Sequence, residues 1–310
     1  MAMIEIKGLT KYYGSLAALS DLNLQIDEGE IFGFIGPNGA GKTTTMRILA
    51  TLLEPTRGQA FIDGLNVCTN GLRVRRLVGY MPDFMGVYDD LKVFEYLEFF
   101  AAAFGLDRSK RKAVIGDVLE LTDLTVKRTS PVDGLSRGMQ QRLQLARVLI
   151  HDPKVLILDE PASGLDPRAR IEIRELLREL KRMGKTIMIS SHILSELEEM
   201  CDNVGIIESG KLVFSGTMSD IATQMGLSLK FQVCVVGDPE SAADILRAVP
   251  EVSDVHVNGD GLDVTLVEGI PGDGVIARTL VRAGVDVVSL VPKQFKLDDA
   301  FLHLTQGIVH

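Results

Sequence analysis

Residues 36–43 have the composition and spacing of a loop that binds phosphate. They read Gly-Pro-Asn-Gly-Ala-Gly-Lys-Thr, which fits the pattern GxxxxGK(S/T), and they lie between an apolar run and a segment with a helical pattern. Glycines let the backbone approach an anion closely, so that successive N–H groups can point at its oxygens. Lys42 would add a positive charge, and Thr43 would offer a hydroxyl to Mg²⁺. The candidate residues for binding a nucleotide's phosphates are Gly36, Pro37, Asn38, Gly39, Ala40, Gly41, Lys42, Thr43 and Thr44.

Two carboxylates follow a second apolar run. Residues 155–158 read Val-Leu-Ile-Leu, and Asp159 and Glu160 come directly after them. A parallel strand delivers its last residues to the same sheet edge as the phosphate loop. We therefore expect Asp159 to hold Mg²⁺ through water and Glu160 to activate the attacking water. An apolar run that ends in Asp-Glu is a weak signal alone. Together with the phosphate loop, it is a strong indication of a nucleotide site.

Short runs of branched apolar residues predict the strands that must position these groups. The runs that read as strands buried on both faces are residues 31–35, 155–158 and 186–190. Residues 4–6 and 22–26 alternate as half-exposed antiparallel strands do. The pattern from about residue 93 to residue 149 is helical. This order indicates an α/β fold in which helices wrap a mostly parallel sheet.

The composition is that of a globular protein without a membrane span. The 310 residues include 33 Lys and Arg against 42 Asp and Glu, which gives a net charge of −9. No run approaches the roughly 18 apolar residues that a bilayer requires, and the start lacks the layout of a signal peptide. Three widely spaced cysteines, Cys68, Cys201 and Cys234, fit reduced thiols better than disulfides or a zinc site. The acidic balance argues against general affinity for nucleic acid.

A third motif, Leu-Ser-Arg-Gly-Met-Gln at residues 135–140, fits the pattern LSxGxQ. Ser136 and Gly138 would lie at the start of a helix, where a hydroxyl and free N–H groups can bind an anion. From the residues alone, a helix cap is the simpler interpretation of Ser136. Together with the other two motifs, this stretch resembles the nucleotide-binding subunit of ATP-binding cassette (ABC) transporters. The resemblance covers about residues 3–217 and implies a P-loop cassette with a mixed sheet, an antiparallel N-terminal subdomain and a helical insert.

The resemblance implies roles for further residues. Ser136 and Gly138 would close on the γ-phosphate of the ATP that a second subunit holds, so that two cassettes enclose two nucleotides. Tyr13 would stack on adenine, although the neighbouring Tyr12 leaves the choice open. Asp166, in Ser-Gly-Leu-Asp at residues 163–166, would belong to the loop that links the two sites. His192 would contact the γ-phosphate and orient Glu160 with the water.

One position departs from the family pattern. The family usually has Gln where Gly-Tyr-Met-Pro-Asp at residues 79–83 has Asp83. That Gln contacts Mg²⁺ and the attacking water and relays the nucleotide state to the membrane partner. A carboxylate would bring a negative charge near Asp159 and Glu160, so it could bind Mg²⁺ or be held away by repulsion. We expect function to be retained with an altered relay, while a plain loop residue stays open as the alternative.

The last third of the chain has a different order of elements. Residues 231–236, 252–257, 262–266 and 285–291 read as strands, and residues 240–248 and 274–283 as helices. That order is the one of a ferredoxin-like α+β domain, followed by a short helix at about residues 297–304. We expect an ATP-binding domain at residues 1–225, with its helical insert at about 93–150, and an accessory domain at 226–310. The accessory domain shows no catalytic constellation, so a structural appendage is favoured over a small-molecule sensor.

The sequence therefore predicts an ATPase that uses ATP and Mg²⁺ and drives transport, with export favoured. By the resemblance, its partners would be a membrane-spanning permease subunit and a second cassette, either identical or related, without nucleic acid. It would lie in the cytoplasm on the inner face of the cell membrane. The alternatives are a soluble ABC-type ATPase that acts on ribosomes or nucleic acid and an ATP-dependent regulator. A single cassette without an inserted coiled coil counts against the first, and Glu160 counts against the second.

Overall fold

The computed structural model describes residues 2–83, 90–191, 194–217, 220–221, 230–259, 261–267 and 273–292. The chain divides into two compact units, of which the second comprises residues 219–300 and the first comprises the remainder. Within the described residues, no helix combines the length and the apolar content that crossing a bilayer requires. The division predicted near residue 225 stays a prediction, because residues 222–229 lie outside the described ranges.

The first unit contains two sheets. Its strands are β1 (Ala2–Tyr13), β2 (Leu16–Asp27), β3 (Ile31–Ile35), β4 (Arg57–Ile62), β5 (Leu65–Asn66), β6 (Val78–Met81), β7 (Val155–Asp159), β8 (Thr186–Ser191), β9 (Asn203–Glu208) and β10 (Lys211–Gly216). The smaller sheet is antiparallel in the order β2-β1-β4-β5. Leu22, Leu24 and Ile26 of β2 are buried and alternate with exposed polar residues. The predicted antiparallel pairing near the N-terminus is confirmed.

The larger sheet forms the centre of the first unit. Its order is β10-β9-β3-β8-β7-β6, with only β10 running antiparallel to its neighbour. Every residue of β3, β7 and β8 is buried. Continuous apolar strands of this kind are expected where helices cover both faces of a parallel sheet. The mixed sheet and the α/β class predicted from the sequence are confirmed.

Helices surround this sheet. They are α1 (Lys42–Leu49), α2 (Gly71–Leu77), α3 (Val93–Ala103), α4 (Arg108–Leu121), α5 (Arg137–Leu149), α6 (Pro167–Arg182) and α7 (Leu194–Met200). In α6, Pro167 occupies the first turn, and the residues at helical spacing that it buries are Ile173, Leu176, Leu177 and Leu180. The predicted helical stretch from about residue 93 corresponds to α3, α4 and α5.

The second unit is a four-stranded antiparallel sheet with two helices. Its elements are β11 (Lys230–Val235), α8 (Pro239–Arg247), β12 (Val252–Asn258), β13 (Gly261–Leu266), α9 (Asp273–Arg282) and β14 (Val287–Pro292). The sheet order is β12-β13-β11-β14, which is the order of a ferredoxin-like fold. Asp238 caps α8 by accepting the N–H groups of Glu240 and Ser241. The helix predicted at residues 297–304 lies outside the described residues.

Candidate functional site

Four neighbouring parallel strands bring the candidate residues to one edge of the larger sheet. In the order β3-β8-β7-β6, the phosphate loop follows β3, Ser190 and Ser191 end β8, Asp159 ends β7, and Asp83 lies two residues beyond β6. The carboxyl ends of parallel strands meet at the same edge, and ligands of open α/β sheets bind there. The topology thus assembles motifs that are far apart in the sequence.

The phosphate loop leaves its backbone open to an anion. A Cβ at Gly36 would lie 2.3 Å from the carbonyl oxygen of Ile207, so only glycine fits there. Gly41, with φ of 110°, precedes α1 in the left-handed region and provides no side-chain cap. Within the described residues, the N–H groups of Lys42, Thr43 and Thr44 have no acceptor. Three such donors at a helix N-terminus can bind an anion, so the geometry fits the phosphate site, which stays a prediction.

Lys42 is buried inside this loop, with 7% of its surface exposed. Its Nζ donates hydrogen bonds to the carbonyl oxygens of Gly36 and Pro37. Burial lowers the pKa of the Lys42 ammonium, and the nearby negative charges of Glu160 and Asp159 oppose that shift. The ammonium is therefore held between the loop and the two carboxylates, where it can meet a phosphate.

A cavity of about 200 Å³ joins the loop to the carboxylates. Its lining residues are Pro37, Asn38, Gly39, Ala40, Gly41, Lys42, Thr43, Thr44, Asp83, Asp159 and Glu160. Asp83 is thus brought together with Thr43 and Asp159, the other two candidate ligands of Mg²⁺. The side chain that Asp83 brings to this cavity is a carboxylate, at the position where the resemblance led us to expect an amide.

Ser190, which is not among the site residues predicted from the sequence, connects the two carboxylate residues. Its Oγ donates to Asp159 Oδ1 at 2.7 Å and accepts the backbone N–H of Glu160 at 3.0 Å. Asp159 is 2% exposed, so this hydrogen bond satisfies a carboxylate oxygen that water hardly reaches. The available signal was a polar residue at the end of the apolar run Ile187-Met188-Ile189.

Glu160 adopts a left-handed backbone conformation, with φ of 52°. This region is unfavourable for residues other than glycine, and it recurs at functional sites whose surroundings enforce it. Here the enforcing contacts are the hydrogen bond to Ser190 and one from the Ser163 N–H to the Glu160 carbonyl oxygen, at 3.1 Å. The turn at Glu160 ends β7 abruptly and leaves the Glu160 side chain half-buried at the cavity wall.

Two predicted site residues lie outside the cavity and cap helices. Ser136 is exposed and accepts the Met139 N–H at 3.4 Å, which makes it the cap of α5. Asp166 is exposed and accepts the Ala169 N–H at 3.3 Å at the start of α6. The two helix starts are adjacent, because a Cβ at Gly138 would lie 3.1 Å from the Cβ of Ala169. Their predicted contact is with a second subunit, so these roles stay predictions.

The adenine and histidine predictions also remain open. Tyr13 ends β1 with 47% exposure, and the Nζ of Lys11 lies 5.5 Å from its ring centroid. Tyr12 is 44% exposed, so exposure does not separate the two rings. Neither lines the cavity described above. His192 follows β8 directly and lies outside the described residues.

The family model and the relatives that this chain matches indicate the same protein family. Residues 19–163 match the family model described as ABC transporter. The chain is 37% identical over 306 residues to the bacitracin transport ATP-binding protein BcrA of Bacillus licheniformis, covering 98% of each chain. It is 33% identical over 305 residues to the Nod factor export ATP-binding protein I of Rhizobium etli, covering 98% of this chain and 94% of the relative.

A solved structure supports the same fold. The dimeric structure of MJ0796, a bacterial ABC transporter cassette, is 27% identical and superposes with a TM-score of 0.63. The superposition covers 69% of this chain and 98% of that cassette. These similarities favour the transporter interpretation and give no support to a soluble ATPase that acts on ribosomes or nucleic acid.

Proposed function

This chain belongs to the ATP-binding subunits of ABC transporters, and we propose from this premise that Glu160 drives cleavage of ATP in the cavity beside the phosphate loop to power a separate membrane-spanning permease. The chain binds ATP, and its ATPase activity is coupled to transport. The observation that carries the proposal is the meeting of Lys42, Asp159 and Glu160 in one cavity at the edge of the parallel sheet. The relatives named above serve bacitracin transport and Nod factor export, so export is the direction that we propose.

The residues at the cavity suit a Mg²⁺ ion bound with the nucleotide. Thr43 offers a hydroxyl, and Asp159 and Asp83 offer carboxylates, which together make the all-oxygen donor set that Mg²⁺ prefers. We propose that these three residues hold the ion, directly or through water. When bound, the ion would neutralise charge on the phosphates during transfer.

Side chains and backbone groups of this chain can accept the proton and stabilise the charge that hydrolysis of ATP produces. Water attacks the γ-phosphorus, the bond between this phosphorus and the bridging oxygen breaks, and ADP leaves with that bond's electron pair. Glu160 accepts the proton that the water loses. Lys42 and the free N–H groups of α1 bind the phosphate oxygens and stabilise the charge that spreads over them. Ser190 fixes the position of Asp159 relative to the backbone of Glu160 through its two hydrogen bonds. His192 would orient the water.

We propose that a second cassette completes the site. Ser136, Gly138 and Asp166 lie at adjacent helix starts rather than in their own chain's cavity. Ser136 and Asp166 are exposed there, as residues that contact another subunit must be. The partner is either an identical or a related cassette, and loss of the γ-phosphate would separate the two.

A second cavity of the first unit suits the permease. It measures about 370 Å³, and its lining residues are Ala50, Leu52, Arg75, Val78, Tyr80, Pro82, Phe100, Phe104, Arg147, Val148 and His151. Apolar side chains and two arginines would receive a cytoplasmic helix of the permease and hold the chain at the inner face of the membrane. Pro82 lines this cavity while Asp83 lines the nucleotide cavity, so one short loop joins the two.

The function is tested by the dependence of ATPase rate on protein concentration and by isolation of the tagged chain from membranes. We expect the rate per molecule to rise with concentration until dimers saturate, because each site needs both chains. We also expect a protein with many membrane spans to co-purify. A rate per molecule that stays constant, together with co-purification of ribosomes, would contradict the proposal.

Asp83 provides a separate prediction. Replacement of Asp83 by Gln should weaken the affinity of the nucleotide complex for Mn²⁺ by about tenfold, as loss of a ligand or of its support does. ATP affinity without metal should stay unchanged or rise, since a negative charge is removed. Metal binding is measured by electron paramagnetic resonance, and stimulation of the ATPase by the permease in vesicles reports the relay. Asp133→Asn, at an exposed position, is the control. Lost ATP affinity with intact stimulation would contradict this role.

A further inference from the structure

Arg137, the variable residue of the LSxGxQ stretch, contacts the loop that follows Glu160. It is the first residue of α5 and is exposed. A Cβ built on Gly164 would lie 2.4 Å from the guanidinium carbon of Arg137 and 2.5 and 2.6 Å from its terminal nitrogens. The guanidinium therefore lies directly against the backbone of Gly164, in space that any side chain at 164 would fill.

Gly164 belongs to a short loop that is tied to the general base. The Ser163 N–H donates to the Glu160 carbonyl oxygen at 3.1 Å, and the Leu165 N–H donates to the Ala162 carbonyl oxygen at 3.3 Å. Gly164 itself has φ of 67°. Gly164 is thus the chain neighbour of Ser163, whose hydrogen bond closes the turn at Glu160.

The guanidinium of Arg137 has no polar partner in the described part of the chain. Among the described residues, no hydrogen bond or ion pair involves Arg137, whereas Arg142 on the same helix pairs with Asp123 and Glu172. The planar guanidinium therefore packs on the backbone of Gly164, where no side chain intervenes. The ammonium of a lysine is not planar and would not pack in the same way.

We propose that Arg137 is a positioning residue that couples the serine-capped start of α5 to loop 163–166 and, through it, to Glu160 of the same chain. The inference rests on the proposed function, in which Ser136 contacts the ATP held by a second cassette. Arg137 then relays the presence of that distant nucleotide to the base of its own site. The two ATP sites act cooperatively because each chain carries one such connection.

The relay is tested by a double-mutant cycle in the full chain. Arg137→Ala, Gly164→Ala and the double variant are compared in steady-state ATPase assays over a range of ATP concentrations. We expect each single variant to lower kcat about tenfold, with KM within about twofold and with the Hill coefficient reduced toward one. The double variant should be no slower than the slower single variant, because both changes remove the same contact.

Two control variants distinguish loss of the contact between Arg137 and Gly164 from backbone strain and from loss of a positive charge. Gly184 also has positive φ, 83°, but has nothing within 4 Å of a built Cβ, so Gly184→Ala measures backbone strain alone. Arg182→Ala, which removes an exposed arginine of α6, measures the loss of one positive charge. Both controls should retain kcat and the Hill coefficient. Arg137→Lys should behave like Arg137→Ala.

Four results would overturn the relay. They are wild-type kcat and cooperativity in Arg137→Ala, additive losses in the double variant, full rescue by Arg137→Lys, and a Hill coefficient of one in the wild-type protein. Rescue by Arg137→Lys would indicate a charge that acts on phosphate. ATP-dependent dimerisation of Glu160→Gln, with and without Arg137→Ala, distinguishes a failure of the relay from a failure of the proposed function. We expect both proteins to dimerise, and a monomeric Glu160→Gln protein would remove the proposed function and the relay together.

Discussion

Replacement of Glu160 by glutamine is expected to lower steady-state ATP hydrolysis at least about 100-fold while ATP binding persists. General base catalysis commonly contributes factors of about 10² to 10⁴, and an amide does not accept the proton of the attacking water. The bond from the backbone N–H of residue 160 to Ser190 involves no carboxylate atom, so the left-handed turn should survive the substitution. The shape of the cavity is then retained and only the proton acceptor is lost.

This variant should also trap the closed dimer. With ATP bound and cleavage blocked, the proposed contacts of the γ-phosphate to both subunits would persist, so the population should shift toward the dimer. Light scattering after gel filtration in ATP measures the mass, and a single-turnover assay measures the cleavage rate. Glu28→Gln, in the exposed turn after β2, makes the same chemical change away from the cavity and should leave both measurements unchanged. An unaltered hydrolysis rate in Glu160→Gln would show that another group is the base.

The parts of this protein that the sequence predicted are those whose signals are local. β3, β7 and β8 are continuous apolar runs that end next to candidate site residues, so both the strands and the sheet edge could be inferred. β4 was not predicted, because Arg57, Gly58 and Gln59 are exposed and only its second half is apolar. The second unit was predictable for the same reason, since each of its elements has its own periodicity, whereas its role stays a prediction.

The connections within the site were not predictable, because they depend on tertiary contacts. Ser190 lies 30 residues from Glu160 in the sequence, and only the pairing of β7 with β8 brings them together. The positive φ of Glu160 contradicts the local preference of glutamate and is imposed by its neighbours. The contact of Arg137 with Gly164 likewise joins two motifs that the sequence presents as independent. The candidate residues could therefore be predicted from the sequence, whereas their hydrogen bonds and backbone conformations could be read only from the fold.

Replacement of Lys42 by methionine should abolish function at the step of ATP binding, whereas replacement of Glu160 acts on the later step of cleavage. The loss of one charge-assisted hydrogen bond to a phosphate is worth about 1.5–3 kcal/mol, which corresponds to a decrease of roughly 10- to 150-fold in ATP affinity. Methionine is one atom shorter than lysine but is likewise unbranched and apolar along its stem, so the space of the buried side chain should remain largely filled. The unfolding temperature should change little, because burial already disfavours the Lys42 ammonium, as its lowered pKa indicates.

Fluorescent-nucleotide binding measures this loss, and thermal unfolding checks the fold. Lys112→Met, on the exposed face of α4, is the matched control and should bind ATP normally. The two main variants differ in their effect on assembly, since Glu160→Gln should bind ATP and accumulate as a dimer while Lys42→Met should stay monomeric in ATP. Unchanged ATP affinity in Lys42→Met would mean that the N–H groups of α1 bind the phosphates without the ammonium. Dimers of Lys42→Met at low ATP would mean that assembly does not depend on the γ-phosphate, and the switch that couples hydrolysis to transport would then lie elsewhere in the chain.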